Sequence, residues 1–213
     1  CSGSHQVRVY DTRSGRLLAK LGKDDGSSGT AEGEFKNPWG VVVTADSSHI
    51  IVADRFGNRL QLLRLIVSGN GGTRAELAFV RSIGDGQLQS PCGLALRSVG
   101  GGGQTVLVAE ADGHQVSEWA LDGSKIRTIG TGKEGSGDGE LNWPYDVTVL
   151  PTSGHIAIAE GNNHRVSIFH GDSASFLRAF GSQGEEADGQ FGYPCAIAAD
   201  AHEHLLVLDV WTS

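Results

Sequence analysis

The chain has 213 residues, 17 Lys and Arg against 25 Asp and Glu for a formal charge of −8, and 32 Gly, about twice the ordinary glycine share of ~7%. A hydrophobic fraction of 38% builds a real core over this length, in one domain or a piece of one, which argues against wholesale disorder. No run nears the ~18 to 20 apolar residues of a membrane span, and the acidic balance opposes the basic surface that neutralises phosphates, so nucleic acid is disfavoured as a partner.

In chain order, two short runs come first, SHQVRVYD and GRLLAKLG. A glycine-rich stretch then leads to GEFKNPWG from Gly33, an apolar run Val41 to Val43, IIVAD ending at Asp54, the alternating run NRLQLL from Asn58, and LAFVRSIG. The same succession returns as GQLQSPCG from Gly86, Leu94 to Leu96, VLVAE ending at Glu110, HQVSEW from His114, and KIRTIG. It returns again as GELNWPYD from Gly139, Val147 to Val149, IAIAE ending at Glu160, HRVSIF from His164, and SFLRAFG. A last, partial round holds GQFGYPCA from Gly189, Ile197 to Ala199, and LLVLD ending at Asp209.

The four prolines at 38, 91, 144 and 194 are thus 53, 53 and 50 residues apart. Each round reads as four short strands without a helical stretch, a pattern that suits antiparallel sheets stacked radially, because inner strands apolar on both faces need a neighbour on each side. The expected fold is an all-β propeller of four-stranded antiparallel blades. The opening runs match the third and fourth strands of a round and the closing runs match the first and second. The reading is therefore three whole blades plus one split between the termini. SGNGGTRAE (Ser68 to Glu76) and SVGGGGQ (Ser98 to Gln104) lengthen two connections.

The phrases GEFKNPWGVVV, IIVADRFGNRLQLL and IAEGNNHRVSIF resemble NHL repeats, and the resemblance runs over nearly the whole chain. It implies an NHL-type β-propeller over residues 1–213, either a single domain or a segment of a larger, six-bladed propeller. The absence of any Met points to a processed chain or an excised segment. In the segment reading, open blade edges favour self-association.

Repeat equivalence puts the residues beside the prolines at the mouth of the central channel: Trp39, Cys92, Trp143, Tyr145, Tyr193 and Cys195, with Asp146 at a place where the first two rounds have Gly40 and Gly93. Trp and Tyr on a loop face commonly anchor a partner; packing within the channel is the competing account. Asp54, Glu110, Glu160 and Asp209 recur in every round, and a repeated carboxylate reads as part of the blade, accepting turn N–H groups and pairing with Arg. Cys92 and Cys195 stand two blades apart and should be free thiols, since packed sheets are spaced ~10 Å. The residues GTGKEG from Gly130 satisfy a dinucleotide-binding spacing but lack the strand and helix such a site needs.

No catalytic residue, metal site or cofactor is assigned, and nothing marks a compartment. The resemblance implies a non-catalytic interaction or scaffold module that presents the channel-mouth loops to a protein or peptide. The alternative is a propeller lyase or hydrolase with a metal ion in the channel, in which Asp146 is the residue to watch.

Overall fold

The structure, a computed structural model, describes residues 4–69, 74–184 and 187–210; Cys1 and the middle of the Ser68 to Glu76 loop lie outside them. A hairpin of β1 (Val7–Tyr10) and β2 (Leu17–Leu21) precedes three four-stranded antiparallel sheets. Sheet I is β3 (Pro38–Val43), β4 (His49–Asp54), β5 (Arg59–Ser68) and β6 (Arg74–Ile83), paired in chain order. Sheet II is β7 (Pro91–Val99), β8 (Gly103–Glu110), β9 (Gln115–Ala120) and β10 (Lys125–Ile129). Sheet III is β11 (Pro144–Val149), β12 (Ile156–Glu160), β13 (Arg165–Phe169) and β14 (Phe176–Phe180). A two-residue parallel pair, β15 (Ser182–Gln183) with β16 (Gln190–Phe191), sits in the last glycine-rich loop, and β17 (Pro194–Ala199) pairs with β18 (Leu205–Asp209). Among the described residues, helix is confined to single 3-10 turns at Arg55–Gly57 and Gly100–Gly102.

The second strand of each sheet shows why its sequence is apolar without interruption. Side chains alternate across a strand, and here both faces meet another sheet. On β4, Ile51 and Ala53 join Val106 and Val108 of β8 in one core, while Ile50 and Val52 face the β1–β2 hairpin in another. On β8, Leu107 and Ala109 look the other way and pack with Ile156 and Ile158 of β12. Ala157 and Ala159 then turn to Ile197 of β17. Each such fully buried Leu or Ile contributes roughly 1.5 to 3 kcal/mol of transfer free energy.

The first strands β3, β7, β11 and β17 lie side by side. Each carries a bulge just after its proline, whether the residue two places on is Gly40, Gly93, Asp146 or Ala196, so the turn geometry survives the loss of glycine. What Gly40 and Gly93 supply is close approach. A Cβ on Gly40 would lie 2.3 Å from the Cys92 carbonyl oxygen, and one on Gly93 would lie 2.0 Å from Asp146 Oδ1.

The terminal runs form two separate hairpins instead of one divided blade. Among the described residues, β18 pairs only with β17 and β1 only with β2. Each hairpin is held by the core it shares with the nearest complete sheet, β1–β2 on sheet I and β17–β18 on sheet III, and sheet II stands between those two. Val41 and Val43 on β3 and Leu206 and Leu208 on β18 are consequently exposed. No helix among the described residues is long and apolar enough to cross a membrane.

Candidate functional site

Three of the proline phrases and one 3-10 turn converge on one face. Tyr145 is the hub: its ring centroid is 6.3 Å from that of Trp39, 6.0 Å from Trp143 and 5.3 Å from Tyr193. These separations fall in the range of favourable edge-to-face and tilted aromatic pairs. Arg55, from the turn after β4, reaches the same cluster. Its guanidinium carbon lies 5.0 Å from the Trp39 ring centroid and 5.4 Å from those of Phe56 and Tyr145. Its N–H groups donate to Ser90 Oγ at 3.3 Å and to the Tyr145 hydroxyl at 3.5 Å. Trp39 is 52% exposed and Phe56 53%, so the cluster is open to a partner.

The sequence sets these rings by backbone latches that repeat from sheet to sheet. Asp54 accepts the Lys36 amide, Glu110 that of Gln89, Glu160 that of Asn142, and Asp209 those of Gly192 and Tyr193. Arg59 and Arg165 complete two of these latches by pairing with Asp54 and Glu160 and donating to carbonyls of the same loops. The residue four places after two of these acids reaches forward to the next loop: Asn58 accepts from the Ser90 amide, and His114 Nδ1 from that of Trp143. Held from both sides, Asn37, Ser90 and Trp143 take positive φ immediately before their prolines. For a residue as bulky as Trp that conformation stores on the order of 1 to 3 kcal/mol, and it is what aims the Trp143 ring at Tyr145.

A cavity of about 280 Å³ adjoins the cluster, lined by Trp39, Gly40, Val41, Gly93, Leu94, Tyr145, Asp146, Cys195 and Ala196. Asp146 is engaged within the fold: Oδ1 accepts the Val147 amide and Oδ2 the Ile197 amide of the neighbouring hairpin. Burial pushes its carboxyl above the usual carboxylate range despite those two bonds. Tyr193 is likewise raised by burial and then by its neighbour Tyr145. Cys195 is half-buried with its thiol pushed up by burial.

Cys92, expected among the mouth residues, is a correction. It is fully buried, its thiol donates to the Ser90 carbonyl, and burial raises it to about 11. It lies beneath the face and supports it, because Gly40 of the adjacent strand closes over its backbone. Both Cys92 and Cys195 are free thiols. The described residues bring together no group of three or more His, Cys, Asp or Glu side chains able to hold a metal ion.

Sequence reasoning passed over Arg55 and Glu118. The signal for Arg55 was present: the residue after the repeated acid is Arg55, Ala111, Gly161 and Val210 in turn, so one round alone has a cation there. Glu118 stands where sheets I and III have Leu62 and Ile168. It is buried and bonded to Thr105 Oγ1, Arg97 and Arg127, both of which continue to Asp172 of sheet III.

Stacked four-stranded sheets with a loop face of this kind define a propeller-like β protein. Residues 141–169 of the chain match the family model of the NHL repeat. The chain is 35% identical over 85 residues to the RING finger protein nhl-1 of Caenorhabditis elegans, a match covering 40% of this chain and 8% of that protein. Among solved structures, a Bacteroides caccae protein of unknown function superposes with a TM-score of 0.63 at 16% identity, covering 98% of this chain and 65% of that one. A catalytically inactive virginiamycin B lyase from Staphylococcus aureus with quinupristin gives 0.56 at 14%, covering 97% and 57%. Hydrazine synthase of Kuenenia stuttgartiensis gives 0.57 at 13%, covering 83% and 43%. At these identities the three structures speak to the fold alone, and the chain spans less than two thirds of each of these proteins.

Proposed function

We propose that this chain is an interaction module whose loop face, centred on Tyr145, receives a protein or peptide partner. The observation that carries the reading is the mutual contact of Trp39, Trp143, Tyr145 and Tyr193, contributed by three different repeats and left partly open. Aromatic side chains of this kind bind with little entropy loss, because they have few rotatable bonds and much apolar area. NHL repeats commonly mediate protein contacts, which agrees with this use of the face.

The test is affinity capture with the wild-type chain and the double variant Trp39→Ala, Tyr145→Ala, followed by mass spectrometry and by titration of the purified partner. The expected outcome is at least ~2 kcal/mol weaker binding by the variant, a loss of the hot-spot kind, with a near-native melting curve. Unchanged binding together with a large loss of stability would instead assign both rings to packing.

A further inference from the structure

Arg55 differs from the arginines that brace the buried acids of the sheets. Arg59, Arg97, Arg127 and Arg165 each pair with a buried carboxylate. Arg55 does not: among the described residues no carboxylate oxygen lies within 4.0 Å of it, and its guanidinium donates to the hydroxyls of Ser90 and Tyr145. Three aromatic rings lie against the guanidinium instead. A cation–π contact with a ring uses the charge of a guanidinium without using up its N–H donors, and five donors in a rigid fork match a carboxylate in two parallel bonds. With two donors engaged at 3.3 and 3.5 Å, donors remain for a ligand.

We propose that Arg55 is the anion-reading element of this face and takes a single carboxylate from the partner peptide, while the surrounding rings take its neighbouring side chains or backbone. The inference rests on the interaction-face reading and gives it a chemistry. A carboxylate suits the site better than a polyphosphate chain. The chain carries a formal charge of −8, and Asp146 lines the cavity that adjoins Trp39 and Tyr145. One negative charge can sit on Arg55, whereas a run of phosphates would meet an acidic surface. The carboxylate has two possible sources, an Asp or Glu side chain or a free C-terminus.

The probes are N-acetylglutamate α-amide, N-acetylglycine, the neutral N-acetylglutamine α-amide and inorganic phosphate. Each is titrated into the isotopically labelled full chain while the Arg55 Nε–H and Trp39 indole N–H resonances are followed by NMR. Both resonances are expected to shift saturably with the two carboxylates, with Kd on the order of 1 to 10 mM for so small a ligand, and to stay still with the glutamine derivative. The tighter of the two carboxylates names the source. Arg55→Gln should abolish the response of the indole. Arg55→Lys keeps the charge without the fork and, should the Gln variant fail to fold, still tests the idea: it should bind about tenfold more weakly.

Equal response to the glutamine derivative, no response to either carboxylate, tighter binding of phosphate, or wild-type affinity in Arg55→Lys would each overturn the proposal. If Arg55→Gln retains a captured partner that the Trp39, Tyr145 double variant loses, the face reading stands and the carboxylate reading falls. If neither variant loses the partner, the face reading itself fails.

Discussion

Gly161 leaves the space that the Tyr193 ring fills: a Cβ at position 161 would come within 2.5 Å of Tyr193 Cζ. The glycine belongs to the turn after β12 and the tyrosine to the loop before β17, so one repeat makes room for an aromatic of the next. In the first round the same position holds Arg55, which projects toward the cluster. One repeat position therefore supplies a cation to the face in one sheet and admits a ring in another.

Gly161→Ala should displace Tyr193 and break its edge contact with Tyr145. The Gly161 backbone is outside the positive-φ set, so the effect is steric, with a stability loss of about 1 to 3 kcal/mol as for other overpacked sites. Near-UV circular dichroism of the tyrosines and the affinity for a captured partner should both change. An unaltered spectrum would mean that the ring is not held where the fold puts it.

Glu118→Ala should be among the most damaging single changes outside the apolar core. The carboxylate is buried between Arg97 and Arg127, and removing one member of a buried ionic cluster leaves the others uncompensated, a loss of roughly 3 to 5 kcal/mol. Denaturant titration measures it. Substitution by Leu or Ile, as in sheets I and III, should not rescue stability unless both arginines are also replaced.

Cys92 should make stability fall in alkali. Burial raises its thiol from 9.0 to about 11, so between those values the native chain holds a proton that the unfolded chain has released. Stability then declines as pH rises through that window, by on the order of 2 to 3 kcal/mol in all. Below pH 9 the contribution is fully present. Denaturation of wild type and Cys92→Ala at pH 8 and pH 11 checks this: the stability difference between the two proteins should shrink at the higher pH, and a constant difference would refute it.

The repeat, the four-strand unit and the residues around each proline were legible in the sequence because they follow from local rules. Alternation and β-branching make the strands, and Pro with Gly punctuates them. Unbroken apolar runs such as IIVA and VLVA announce burial on both faces, and the recurrence every 50 to 53 residues announces stacking. The aromatic residues of the face were also visible, since equivalence of position requires that they emerge at the same end of every sheet.

Tertiary structure decided what depends on neighbours across repeats. It buried Cys92 while leaving Trp39 open, although both follow a proline. The difference arises because Gly40 brings the strand of sheet I against the Cys92 carbonyl. It kept the terminal hairpins in separate sheets, each bound to a different core, because strand pairing requires ladder distance and sequence kinship does not. And it set Arg55 among Trp39, Phe56 and Tyr145 without a carboxylate partner, a relation between sheets I and III that follows from side-chain reach over the intervening Ser90, which no spacing along the chain encodes.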